Sequence, residues 1–446
     1  MQAFKEVHLV KKYKSMLLSF SIENFRSIRD STTIDFSATH QKPAYSWLKN
    51  NVALSGKKDK VLKVKAIYGA NASGKSTLLL AMSVWQGVAL LSGRDRYEQL
   101  PVEPFRLDAA YSESPTTLCG TFVYGDRKYE YGLEMTRDKI VREWLLDRSV
   151  RKATVFTRQD QTVTPNPEYF GKDDRLTFLL KENNEVFQPR ISFLAAASLL
   201  KIAPVVDQVA AALRKLMILS DAGLHHLEEL PAQLMYEDGS LLRETSEMLK
   251  LLGIDHDSLL SFDKEKISHV KELPGLEKFS DQTDKRFFTV TTRKVKGRED
   301  KSLAWLSDQY ESAGTQKILQ LAPLIIICLR QGGILLVDEF EARLHTRLSR
   351  EIVQLFNSTS GNPNGAQFIF STHDTNLLDN KLLRRDQIAL IEKDDSGASF
   401  LYSLSDITGV TNTANFEREY LGGSYGAVPQ VSDLDIALDL EPAAHE

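Results

Sequence analysis

Gly69-Ala70-Asn71-Ala72-Ser73-Gly74-Lys75-Ser76 has the spacing G-x-x-x-x-G-K-S. Such a run suits phosphate. Its glycines admit the main chain to close approach, its successive N–H groups form an anion cradle, its lysine reaches the outer phosphates, and its hydroxyl holds a divalent cation. The mainly apolar run 64–68 before it reads as a strand, and Thr77-Leu78-Leu79-Leu80-Ala81-Met82 after it reads as a helix whose positive end faces the loop. A chance match in a glycine-rich turn is the bland alternative, and these flanks weigh against it. The segment predicts ATP as cofactor, cradled by Gly69, Asn71, Ala72, Ser73, Gly74, Lys75, Ser76 and Thr77, with Ser76 on Mg²⁺.

Three further segments bear on the same chemistry. Ile334-Leu335-Leu336-Val337-Asp338-Glu339 is an apolar strand ending in two carboxylates, the pattern of a Walker B segment. Asp338 is the expected Mg²⁺ partner, and Glu339 the base that polarises an attacking water. A core strand with a solvated acidic end is the other reading. Gln367-Phe368-Ile369-Phe370-Ser371-Thr372-His373 is a short strand ending in a histidine suited to sensing a γ-phosphate. Glu311-Ser312-Ala313-Gly314-Thr315-Gln316 opens a helix running toward Arg330, with Ser312 lying 26 residues before Asp338. Ser312 can be a plain N-cap. It can equally offer a hydroxyl, with the backbone of Gly314 and the side chain of Gln316, to a phosphate at a helix N-terminus.

The order phosphate loop, signature, Walker B, histidine resembles the ABC-type ATPases of the SMC and RecF group. Ser21-Ile22-Glu23-Asn24-Phe25-Arg26-Ser27-Ile28 looks like their amino-terminal strand, which adds Arg26 to the expected nucleotide contacts. Within that group the chain is more similar to AAA-type ATPases related to the overcoming-lysogenisation-defect nucleases. The segments carrying this likeness are Glu311 to Gln316, Asp338-Glu339-Phe340 with Leu344-His345, and Asn364-Gly365-Ala366-Gln367 leading to Ser371-Thr372-His373-Asp374-Thr375. Gln387-Ile388 through Glu392-Lys393 and Leu421-Gly422 through Gly426-Ala427-Val428-Pro429 add to it.

The resemblance implies an α/β fold, an ABC-type P-loop ATPase head with an antiparallel β-subdomain and an inserted helical lobe. In ABC-type ATPases the signature meets the nucleotide on the opposing subunit, so an ATP-dependent homodimer or higher homo-oligomer is implied. Members resembling the RloA, AbiL and PARIS ATPases imply bacterial anti-phage defence beside a separately encoded effector, often a Toprim-type nuclease. Double-stranded DNA or a phage protein is a further implied partner. The related nucleases carry a Toprim domain after the ATPase. Here 73 residues follow His373, and Asp433-Leu434-Asp435 is a D-x-D at the extreme end. The chain therefore reads as an ATPase subunit without its own nuclease. Glu103-Pro104-Phe105-Arg106-Leu107 is family-like, but Gln99 upstream of it is not a convincing Mg²⁺ ligand.

These motifs need elements to hold them. Residues 16–160 read as the first half of the head, containing the phosphate loop and an antiparallel meander from Thr117 to about Thr157. The meander's aromatic residues read as sheet packing in preference to a base-stacking platform. Residues 161–300 read as an inserted, mainly helical lobe, with helices between Ile191 and about Leu260 and no sustained heptads. Residues 301–430 read as the second half of the head, with a long helix from Glu341 to about Phe356. Lys285-Arg286 and Arg293 to Arg298 form a basic stretch, either a solvated hairpin or a phosphate-contacting patch.

Residues 1–15 carry four lysines and one glutamate without apolar period, and read as a disordered leader or the product of an upstream start codon, with Met16 as the other candidate start. Residues 431–446 hold five acidic residues and no Lys or Arg, either a solvated tail or a docking segment.

The 446 residues suit two or three domains or one large domain with insertions. A net charge of −4 argues against a dedicated nucleic-acid coat, and two cysteines argue against a disulfide framework. The longest apolar runs are too short to cross a bilayer and the first residues lack a secretory segment, so the cytoplasm is the expected location, without a membrane partner. Three functions compete on this reading: a nucleotide-driven sensor or scaffold in defence, a RecF-like ATPase acting on DNA in repair or chromosome maintenance, and the nucleotide-binding subunit of a transporter. The Asn-Phe-Arg segment and the Ser-Ala-Gly-Thr-Gln signature disfavour the third.

Overall fold

Continuous apolar runs in this chain become parallel strands buried on both faces, and alternating runs become antiparallel strands. The computed structural model describes residues 13–40, 42–55, 59–93, 98–181, 187–219, 229–266, 274 and 285–429. Most of the leader, the acidic tail and its Asp433-Leu434-Asp435 lie outside the described residues.

Along the chain the principal elements are β1 (Ser15–Glu23), β2 (Thr32–Asp35), β3 (Val52–Ser55), β4 (Asp59–Leu62), β5 (Val64–Tyr68), α1 (Lys75–Leu91), β6 (Thr116–Tyr124), β7 (Arg127–Met135), β8 (Ile140–Asp147), β9 (Ala153–Gln159) and β10 (Thr162–Pro165). There follow α2 (Phe193–Leu199), α3 (Pro204–Arg214), β11 (Leu216–Leu219), α4 (Leu230–Glu237), α5 (Gly239–Leu251), β12 (Ser258–Asp263), β13 (Phe287–Val295) and β14 (Arg298–Leu306). The last part holds α6 (Ala313–Gln331), β15 (Ile334–Val337), α7 (Thr346–Asn357), β16 (Gln367–Ser371), β17 (Ile388–Lys393), β18 (Ser399–Ser403) and α8 (Phe416–Leu421).

One sheet has the order β11-β15-β16-β5-β17-β18. Its first five strands are parallel and β18 is antiparallel to β17. Strands β5, β15 and β16 are buried along their whole length. Register decides where the chemistry falls. Val337 pairs with Phe370, Ser371 with Ile67, and Leu390 with Tyr68. The carboxyl ends of β15, β16 and β5 are thus level, β17 runs on to Lys393, and the residues after each leave the same edge. That edge is where open α/β sheets bind ligands.

The second sheet, β10-β9-β8-β7-β6-β1-β2, is antiparallel throughout and contains the expected meander. Helix α1 packs on it through Trp85, whose ring meets Phe20 edge-on with centroids 5.4 Å apart. Gly120 makes room for that ring, since a Cβ there would lie 2.4 Å from it. The same hydrophobic core takes in Ile67, Leu336, Ile369 and Ile391 from the parallel sheet. Helices α4 to α7 form a second core on that sheet's other face, where Cys328 is fully buried.

Several details differ from the sequence reading. Strand β1 stops at Glu23. Asn24 and Arg26 have φ of 53° and 51°, and Phe25 and Ile28 exchange both main-chain hydrogen bonds, so Asn24 to Ile28 is a tight turn. The chain is already packed ahead of Met16, with the Tyr13 ring against Tyr124. The helix after the Walker B strand begins at Thr346, because Arg343 has φ of 68° and His345 caps the helix through the Arg347 N–H. Between Ile191 and Leu260 the helices α2 to α5 are joined by two strands. Of these, β11 belongs to the parallel sheet and β12 pairs with β13. The basic stretch is the β13–β14 hairpin. No single helix among the described residues is long and apolar enough to cross a membrane.

Candidate nucleotide site

The loop 69–74 joins β5 to α1, and Lys75 is the first residue of the helix. Packing makes its two terminal glycines necessary. A Cβ at Gly69 would lie 2.3 Å from the Ile391 carbonyl oxygen. Gly74 has φ of +117°, and a Cβ there would lie 2.6 Å from Ser399 Oγ. That hydroxyl donates to the Ser73 carbonyl at 2.6 Å, so β18 braces the loop from behind. Lys75 Nζ donates to the carbonyls of Gly69 (2.8 Å) and Ala70 (2.9 Å). Burial pushes its pKa down, against the opposing charges of Asp338, Glu339 and Glu341. Ser73 Oγ is buried without a hydrogen-bond partner among the described residues.

A cleft of 420 Å³ opens beside the loop, lined by Asn71 to Thr77 together with Arg26, Ser27, Glu339, His373 and Lys393. Gly69 and Asp338 stand behind this lining. One hydroxyl arranges the acidic wall. Glu339 N–H donates to Ser371 Oγ (2.8 Å), and Ser371 Oγ donates to Asp338 Oδ1. Glu339 has φ of 45°, an unusual conformation for a non-glycine residue, and its side chain faces the cleft. His373 is held through its main chain, whose N–H donates to Glu341 Oε1 at 2.5 Å. Burial, then the Lys75 charge, hold the His373 pKa below its ordinary value. The second oxygen of Glu341 is buried without a hydrogen-bond partner among the described residues.

Arg26 Nη2 lies 3.1 Å from Glu103 Oε1, a half-exposed pair of little energetic weight. The buried Asn24 does more. Its amide donates to the carbonyls of Tyr111 and Ser114, and its oxygen accepts the Phe105 N–H. That residue ties the Glu103 to Leu107 segment to the turn carrying Arg26. Gln99 is exposed and does not line the cleft.

The signature residues lie elsewhere. Ser312 is exposed and caps α6, its Oγ accepting the Thr315 N–H at 3.3 Å. Gly314 is pressed to the loop after β15, where a Cβ would come within 2.8 Å of the Arg343 carbonyl oxygen. Gln316 Nε2 donates to the carbonyls of Asp308 and Glu311, both at 2.9 Å. None of the three lines the cleft of its own chain.

Ser27, Ser371, Glu341, Lys393 and Ser399 were not among the expected site residues. A local signal existed for three of them. Ser27 follows Asn-Phe-Arg, Glu341 follows the carboxylate pair by two residues, and Ser371 begins Ser-Thr-His. Lys393 ends the family-like Gln387 to Lys393 segment without being singled out there, and Ser399 arrives through the pairing of β17 and β18, which no local pattern announces.

The donor set fits a nucleoside triphosphate and its cation. A glycine-walled loop at a helix N-terminus, a lysine over it and an orphaned buried hydroxyl suit phosphate. Ser76 and Asp338 are hard oxygen donors of the kind that hold Mg²⁺, which would neutralise phosphate charge.

Solved structures align with most of this chain at low similarity. An Smc head bound to the C-winged helix domain of ScpA is 13% identical, over 87% of this chain and 97% of that one, with a TM-score of 0.45. The SMC head domain from Thermotoga maritima is 12% identical over 87% and 98%, with a TM-score of 0.38. The recombination mediator protein RecF is 15% identical over 88% and 99%, with a TM-score of 0.36. No curated protein matches the chain. A family model matches residues 65–379, from the strand before the phosphate loop to just beyond the His373 segment, and by that match the chain belongs to the family described as "AAA domain, putative AbiEii toxin, Type IV TA system".

Proposed function

We propose that the chain binds Mg²⁺-ATP in this cleft and hydrolyses it as a head-to-head homodimer. The observation carrying this reading is the division of the motifs. Lys75, Glu339 and His373 share one cleft, whereas exposed Ser312 and close-packed Gly314 stand outside it. In this reading the loop N–H groups and Lys75 hold the triphosphate, and Ser76 and Asp338 hold the cation. Glu339 accepts a proton from the attacking water, and His373 donates a hydrogen bond to the γ-phosphate. Ser312 and Gly314 of a second copy close the site. Glu339→Gln is expected to bind ATP, to hydrolyse at least about 100-fold more slowly, and to accumulate as an ATP-bound dimer by light scattering. Wild-type turnover in this variant would remove Glu339 from the role of base.

The finer reading is a nucleotide-dependent sensor or scaffold in the bacterial cytoplasm, in anti-phage defence, working with a separately encoded Toprim-type or other nuclease. Its support is the likeness of Glu311 to Gln316 and Ser371 to Thr375 to the overcoming-lysogenisation-defect group. A second reading, a RecF-like or SMC-like ATPase acting on double-stranded DNA, draws on the exposed Lys294, Lys296 and Arg298 of the β13–β14 hairpin.

A further inference from the structure

Glu311, immediately before the signature serine, is held by a sheet that contributes no residue to the nucleotide cleft. It is 9% exposed. Its Oε1 accepts from Thr291 Oγ1 (2.8 Å) and Trp305 Nε1 (3.1 Å), and its Oε2 from Arg293 Nη2 (3.2 Å). Thr291 and Arg293 belong to β13 and Trp305 to β14, so the carboxylate bridges two strands of the β12-β13-β14 sheet. Arg293 is fixed in turn, since its Nε donates to the Asp255 carbonyl (3.0 Å) and its guanidinium lies 5.3 Å from the Trp305 ring centre. The Glu311 carbonyl is gripped separately, by Gln316 Nε2 of α6.

The signature turn does not need this arrangement for its own hydrogen bonds. Ser312 Oγ caps the helix, and Gln316 closes the turn. Three donors on one carboxylate therefore add something separate. They join the residue preceding Ser312 rigidly to a sheet beyond the ATPase core, and the direction of Ser312 Oγ follows from where Glu311 is held.

We propose that Glu311 is a positioning residue that makes hydrolysis depend on the placement of the β12-β13-β14 sheet. It acts by orienting Ser312 and Gly314 toward a partner's nucleotide, and leaves ATP binding in its own cleft untouched. The proposal rests on the composite-site reading above. The test uses the full chain with Ser312→Ala, Glu311→Ala, Glu311→Gln and Trp305→Phe. Three quantities are measured: ATP affinity by calorimetry, steady-state turnover, and ATP-dependent dimerisation in a Glu339→Gln background.

Glu311→Ala should lower turnover and dimerisation at least about tenfold, the scale of a lost hydrogen bond to a charged group. Trp305→Phe keeps an aromatic side chain, though a smaller one, and removes one donor, and should lower both by roughly threefold to tenfold. Glu311→Gln should fall between wild type and Glu311→Ala, because it keeps an acceptor for Thr291 and Trp305. For Glu311→Ala, Glu311→Gln and Trp305→Phe, ATP affinity measured below the concentration at which the chain dimerises should stay within about twofold, less than any single hydrogen bond to the nucleotide would change it. Loss of affinity in step with turnover would make Glu311 a general support of the fold and overturn the proposal. If Ser312→Ala slows turnover while Glu311→Ala and Trp305→Phe do not, the positioning role fails and the composite site stands. If Ser312→Ala also changes nothing, the composite site fails and the positioning role with it. Should Glu311→Ala not fold, Trp305→Phe carries the same test.

Discussion

Lys65 shows how a single residue can sit against the pattern that surrounds it. It lies in β5, the strand that delivers the phosphate loop, and is 4% exposed. Its Nζ donates to the Asp386 carbonyl at 2.7 Å. Burial pushes its pKa down to about 8, despite the nearby carboxylates of Asp386, Asp35 and Asp406. The unfolded chain keeps this proton up to its ordinary value of 10.5, whereas the folded chain releases it at about 8. Between those values the unfolded state binds more protons, so this group's contribution to stability rises with pH across the window. Below about 8 the buried charge exerts its full penalty. Lys65→Met should therefore be more stable than wild type at neutral pH by about 1–3 kcal/mol. The advantage should shrink as pH rises from about 8 toward 10.5. Urea unfolding at a series of pH values reads this directly. A variant less stable than wild type at neutral pH would show that the bond to the Asp386 carbonyl outweighs the buried charge.

At the scale of elements, one buried ion pair lies within the joint between the antiparallel sheet and the inserted helices. Glu143 of β8 and Arg158 of β9 are both fully buried, with Nη1 and Oε2 3.4 Å apart. The Glu143 carboxylate also accepts the N–H groups of Phe193 (2.7 Å) and Leu194 (3.0 Å) at the start of α2, and the Tyr131 hydroxyl at 3.0 Å. Arg158 Nη1 donates to the Ile191 carbonyl at 2.6 Å. Removing one partner strands the other in the core. Arg158→Met should cost about 3–5 kcal/mol of unfolding free energy, and the Glu143→Leu/Arg158→Met pair less than the sum of the single changes. Additive costs in a denaturant double-mutant cycle would show that the two side chains act independently.

None of this joint could be read from local sequence, because it depends on which strand lies beside which helix. The meander was legible, since Leu118 to Tyr124 and Lys128 to Glu134 are bounded by turn residues. The phosphate loop and the carboxylate pair were legible because their chemistry lies within a few consecutive residues. Strand β11 was hidden. Its Leu-Met-Ile-Leu follows α3 with only Lys215 between, and four apolar residues continue a helical pattern as readily as they begin a strand. The turn at Asn24 to Ile28 was hidden for a different reason. Its positive φ values fall on Asn and Arg, with no glycine to announce them.

The whole molecule sets the candidate nucleotide cleft beside elements that do not line it. Among the described residues, three-stranded β12-β13-β14, joined to the signature through Glu311, is one of these. Turnover accomplishes nothing outside the chain unless the nucleotide states differ in affinity for some ligand. In the proposed function that ligand is a separately encoded effector, held in one state and released or activated in the other. The coupling must be about 1–3 kcal/mol, roughly 5-fold to 150-fold in affinity, to act as a switch. Lys75→Ala removes the cation that folds over the loop and should trap the nucleotide-free state, while Glu339→Gln should trap the ATP state. Tagged wild type and both variants, with and without ATP, are to be compared for retention of proteins encoded beside the gene and of a DNA duplex. The expected result is a partner protein retained by one variant and released by the other, with ATP moving wild type between them. Equal retention in every state would end the switch reading. Duplex binding that follows the nucleotide state and weakens steeply with salt would move the function to DNA, because phosphate contacts release counterions in proportion to their number.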